Sequence, residues 1–111
     1  MIFVGEERSE RARAMGVYWT DGRLAAAHLF DALRAAGIDP TACTFVNWFE
    51  GEREPVRNAA ARGETVIGMG RRVQRALAAE GIAHRALTHP AARGLIRRRD
   101  RYRAHVREVL G

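Results

Sequence analysis

Four short apolar runs, MIFV (1–4), CTFVN (43–47), ETVIGMG (64–70) and HRALT (84–88), alternate with stretches whose apolar residues recur at helical spacing. That alternation constrains the fold more than any other feature of the chain. A strand followed by a helix and then another strand makes a crossover, and crossovers build parallel sheets. Between Gly22 and Ala36, the residues Leu24, His28, Leu29, Ala32 and Leu33 share one helical face, with Asp21 as the expected N-cap and Gly37 as the stop. Pro55 opens a helix over EPVRNAAAR that Gly63 ends. RRVQRALAAE forms the next helix and stops at Gly81, and a final helix is expected from Leu95 to Leu110. Residues 6–21 read as a polar loop with at most a helical turn, and WFEGERE as a second loop. The expected architecture is α/β in three layers, with helices on both faces of a four-stranded parallel sheet. Right-handed crossovers leave few topologies, and strand order 2-1-3-4 is the simplest that covers both faces.

The 111 residues suffice for one core, so a single domain over 1–111 is expected. No apolar run approaches a membrane span, and MIFVGEERSE carries acid where a signal peptide carries basic residues. The expectation is an intracellular protein, cytoplasmic and nucleoid-associated or phage-encoded, acting as a monomer away from membranes. The single Cys43 excludes an internal disulfide framework, and the four histidines show no metal-ligand spacing. No metal and no cofactor are expected.

The net charge is +6, and every one of the 19 basic residues is Arg. Codon bias explains the missing Lys as well as phosphate affinity does. The clustering is more informative: Arg93, Arg97, Arg98, Arg99, Arg101, Arg103 and Arg107 crowd the end of the chain. Such a patch points to an anionic partner such as nucleic acid.

In an open α/β sheet, ligands bind beyond the carboxyl ends of the strands, where the strand order reverses. The residues at those ends are Gly5-Glu6-Glu7, Asn47-Trp48, Gly68-Met69-Gly70 and His89-Pro90. Each has a bland alternative: Glu6 and Glu7 as solvated loop acids, Asn47 as a turn residue, Gly68 and Gly70 as mere close-packing glycines. Trp48 and Phe49 read as packing residues that close the pocket rather than base readers. His28 reads as a satisfied core or rim histidine, and His84 and His105 as surface residues. His89 stands apart because it heads an arginine-rich loop.

The segments GEERS, GRLAAAHLFDALRAAGID, FVN, VIGMGRRVQRAL and LTHPAARG follow one another along nearly the whole chain. In that order and spacing they resemble the uracil-DNA glycosylase superfamily, most closely its iron–sulfur branch. The four cluster cysteines of that branch are absent here, WFEGEREP replaces its K-C-R-P continuation, and the chain is shorter than its catalytic domains. The resemblance implies an enzyme that flips a uracil-like or modified pyrimidine out of DNA and hydrolyses its glycosidic bond. It implies that His89 stabilises the departing base anion, that Glu6 or Glu7 orients water, and that Asn47 pairs with the base edge. Tyr18 or Trp19 would stack on the base, with Gly5, Gly68 and Gly70 lining its pocket. Arg93 or Leu95 would wedge into the duplex, with Arg97, Arg98 and Arg99 on phosphates. The alternatives are a non-catalytic module of this fold that binds DNA, an abasic site or a nucleotide, and an enzyme acting on free nucleotides.

Overall fold

Each of the four apolar runs becomes a strand of one parallel sheet in a computed structural model that describes residues 1–111. The strands are β1 (Ile2–Gly5), β2 (Thr44–Asn47), β3 (Val66–Met69) and β4 (Arg85–Leu87), in the order β2-β1-β3-β4. Phe3 pairs with Phe45 on one side and Ile67 on the other, and Gly68 pairs with Ala86. The helices are α1 (Glu10–Met15), α2 (Ala25–Ala35), α3 (Arg53–Ala61), α4 (Arg71–Ala79) and α5 (Arg99–Leu110). The architecture and strand order are those expected from the alternation.

The period of two along each strand divides the interior into two cores. Phe3, Phe45, Ile67, Met69 and Leu87 point to one face, where α2 brings Leu29 and Leu33 and α5 brings Tyr102 and Val106. Ile2, Val4, Val46 and Val66 point to the other, where α3 brings Val56 and α4 brings Val73 and Leu77. Fully burying a side chain of this size contributes about 1.5–3 kcal/mol. Asp31 of α2 and Arg103 of α5 join the two helices with bonds of 2.9 and 2.6 Å. No helix is long and apolar enough to cross a membrane.

Four local expectations change. Residues 10–15 form a full helix, α1, whose N-cap Ser9 accepts from Ala12 N–H at 3.1 Å and which Gly16 ends in the left-handed region. Asp21 does not cap α2; its carboxylate accepts from Tyr18 N–H at 2.6 Å and closes a 3-10 turn over Trp19–Asp21. Pro55 stands third in α3 rather than first, still inside the turn where its missing N–H has no partner to lose. The last helix is broken: Leu95–Arg97 is a 3-10 turn, Arg98 is extended (φ −68°, ψ 140°), and α5 begins at Arg99. The arginine run has no apolar face to bury, and the start of α5 is set by Tyr102 and Val106, four residues apart and both buried.

Candidate functional site

Because β1 lies between β2 and β3, the chain leaves the sheet in opposite directions at the carboxyl end of β1. A cleft of about 950 Å³ opens there, walled by Glu6, Glu7, the α1 helix, Tyr18, Trp19, Asn47 and His89. A smaller hollow of about 420 Å³ adjoins it and shares His89, with Gly70, Gln74, Thr88 and Arg93 on its walls. Leu24, which also lines the cleft, is the one non-glycine residue at positive φ, 57°.

His89 follows β4 and is half-buried. Its Nδ1 accepts from Ala91 N–H at 3.0 Å, which assigns the ring proton to Nε2. Burial holds its pKa below the ordinary imidazole value, favouring the neutral ring. No protein group pairs with Nε2. The ring tilts at 55° to Trp19, with centroids 6.1 Å apart.

The two glutamates part company. Glu7 is bound by Arg72 at 2.9 Å and lies 3.5 Å from Arg13. Glu6 lies 3.9 Å from Arg72, with its carboxylate against Gly70. A Cβ on Gly70 (φ +93°) would come within 3.0 Å of Glu6 Oε1 and 3.6 Å of His89 Cβ, so that glycine leaves room for both side chains to pack close to its backbone. Arg72 also lies over the Phe49 ring, 3.9 Å from its centroid.

Asn47 is 2% exposed and its amide is engaged: Oδ1 accepts from Trp19 Nε1 at 2.8 Å and Nδ2 donates to Glu50 at 2.7 Å. Burial pushes the Glu50 carboxyl up, but bonds from Arg8 and Asn47 outweigh it and hold the group below its usual range. The Tyr18 hydroxyl donates to Glu52, and burial followed by that bond raises the phenol, which stays protonated. Trp19 is 8% exposed and belongs to the core as well as to the cleft wall.

Three placements differ from expectation. Gly5 and Gly68 do not line the cleft. Gly5 lies beneath Trp19 and Asn47, and a Cβ on Gly68 would meet Leu77 of α4 at 3.0 Å, so both serve close packing. Trp48 is buried in the opposite core, flanked by Arg53 and Arg57. His28 is not satisfied: its Nε2 is buried without a partner, and its ring stacks on Tyr102 at 4.6 Å.

Two residues that the motifs did not single out matter to the site. Gln74 of α4 donates to Gly68 O at 3.0 Å and Leu87 O at 3.1 Å, tying the ends of β3 and β4. His105, expected at the surface, is half-buried and accepts from Thr88 N–H at 3.0 Å. Arg93, Leu95, Arg97, Arg98 and Arg99 are all exposed, Leu95 to 66%. Arg99 lies 3.8 Å from Asp31, while Arg93, Arg97, Arg98 and Arg101 make no ion pair. No group of three or more His, Cys, Asp or Glu side chains is arranged to hold a metal ion.

Fold and site together define a doubly wound α/β domain with an imidazole and a carboxylate at the switch point and free arginines beside them. No family model, no curated protein and no solved structure matches the chain.

Proposed function

We propose that this protein is a DNA glycosylase that flips a uracil-like or modified pyrimidine into the cleft and hydrolyses its N-glycosidic bond, a minimal form of the uracil-DNA glycosylase superfamily. The observation that carries this reading is the neutral His89, with its Nδ1 held by Ala91 N–H and its Nε2–H unpaired at the cleft wall. As the bond from C1′ to the base breaks, its electron pair stays on the base, and Nε2–H donates to the pyrimidine oxygen where the charge gathers. A fixed donor of this kind contributes about 3–4 kcal/mol in the transition state. Water adds to C1′ and its proton passes to Glu6, the acid less engaged by arginine, whose carboxylate lies against Gly70 as the His89 side chain does. Trp19 walls the base site, Arg93 or Leu95 wedges into the duplex where the base leaves the stack, and the free arginines hold phosphates without reading sequence. Flipping costs a few kcal/mol of stacking and pairing, offset by contacts within the cleft.

One observation favours a second reading. The Asn47 amide is taken by Trp19 and Glu50, so reading a base edge requires those bonds to be exchanged. A non-catalytic module that binds DNA, an abasic site or a nucleotide needs no such exchange.

A base-release assay separates the two. Single- and double-stranded oligonucleotides would carry uracil, hydroxymethyluracil, hypoxanthine, thymine opposite guanine, or modified cytosines, with alkaline cleavage reporting abasic sites. Release that falls about 100- to 1,000-fold in His89→Ala, with DNA affinity retained, supports the glycosylase. No release from any substrate, with tight salt-sensitive binding, supports the module.

A further inference from the structure

β4 is an edge strand, paired only with β3. Leu87 O faces β3 and accepts from Gly70 N–H at 3.0 Å, so the N–H and C=O of the next residue, Thr88, face the open side. Both are met there by α5. The Tyr102 hydroxyl donates to Thr88 O at 2.8 Å, and Thr88 N–H donates to His105 Nε2 at 3.0 Å. Two side chains three residues apart on one helix face thus supply what a fifth strand would have supplied.

We infer that Tyr102 and His105 are positioning residues for His89, fixing the peptide groups on both sides of Thr88 so that the imidazole is held at the cleft wall. Thr88 O belongs to the same peptide group as the His89 N–H, so the Tyr102 bond anchors the plane from which the imidazole is built. Tyr102 is 1% exposed and stacked on His28, which leaves its hydroxyl no alternative direction. The bond from Ala91 N–H to Nδ1 then sets the ring. The inference rests on the reading of His89 as the donor, but the geometry it invokes is measurable without catalysis.

The test uses Tyr102→Phe, which removes only the hydroxyl, His105→Leu, which removes the acceptor, and His105→Gln, which returns one at similar reach. Base release gives kcat and KM, and ¹⁵N spectra of the histidine rings give the His89 tautomer. Tyr102→Phe and His105→Leu are expected to lower kcat about 10- to 100-fold with KM little changed, as misplacement of a reacting group does. Both are expected to turn the single Nε2–H form of His89 into a mixture, and His105→Gln to restore most of the rate and the single form. An unchanged His89 ring spectrum in folded Tyr102→Phe and His105→Leu overturns the inference. Should His105→Leu fail to fold, Tyr102→Phe, which keeps its ring in place, decides alone. Should the wild type release no base, the glycosylase reading falls while the ring spectra still decide the positioning.

Discussion

The Trp19 indole donates to Asn47 Oδ1 at 2.8 Å, and this bond ties the wall of the cleft to the end of β2. Gly5 is the residue over which they meet: a Cβ there would come within 2.7 Å of that oxygen and 2.9 Å of the indole. Behind Asn47 the chain of bonds runs on through Glu50 to Arg8. The cleft is therefore walled by a network that is satisfied before any ligand arrives.

Replacing Asn47 by Ala leaves the Trp19 N–H without its acceptor and Glu50 without one donor. The expected cost is about 1–3 kcal/mol for each group left buried and unsatisfied. Thermal and denaturant unfolding would measure it. A loss of base release with no loss of stability would instead assign Asn47 a direct part in ligand recognition.

Glu6→Gln and Glu7→Gln are expected to behave differently. Glu7 is tied to Arg72 and Arg13, whereas Glu6 stands beside Gly70 and His89. Loss of a general base typically lowers the rate about 100- to 10,000-fold, and that loss is expected for Glu6 alone. Steady-state kcat of the two variants on the same oligonucleotide is the check; equal losses would reject the assignment.

Acid should weaken the fold as pH falls from neutral through about 6.5. Burial holds His28 and His89 below the ordinary imidazole value, so each binds fewer protons folded than unfolded. Their contribution is fully present above the unfolded value of about 6.5 and is lost as pH falls through it toward the folded value. For His28, the neighbouring Asp31 works against this shift, while Arg97 and Arg99 reinforce it. His28→Phe keeps a ring against Tyr102 and removes the buried unpaired nitrogen, a gain of about 1 kcal/mol. Melting temperatures between pH 5 and 8 should be higher for this variant and should fall less toward acid. A slope equal to the wild type would exclude His28 as a source of the pH dependence.

Arg97→Glu with Arg98→Glu should weaken duplex DNA binding and flatten its salt dependence. Each phosphate contact removed lowers the slope of log affinity against log salt by about 0.9. Neither arginine spends its charge on a carboxylate of the protein, so both are free to meet phosphate. Fluorescence anisotropy at several salt concentrations reads the slope. An unchanged slope would place the DNA elsewhere.

The strand-and-helix alternation, the sheet order and the place of His89 just past β4 were legible because they rest on short-range signals. Apolar periodicity and glycine stops act over a few residues, and the handedness of crossovers then prunes the topologies. The acidic pair after β1 was legible as a pair. The different surroundings of its two members were not, because Arg72, which engages Glu7, lies 65 residues away. The α1 helix was missed although Ser9 and Gly16 bracket it, since its six residues bury no apolar side chain and leave no periodic stripe.

The sequence by itself determined which segments form strands, which residues stand at their carboxyl ends, and where positive charge gathers. Only the tertiary structure decided that Asn47 is already bound by Trp19, 28 residues earlier, and that α5 reaches back 14 and 17 residues to hold Thr88. The physical reason is that buried polar groups must find partners wherever the packed chain brings them. Which residue answers which is fixed by the angle and register at which elements pack, and no local pattern encodes that choice.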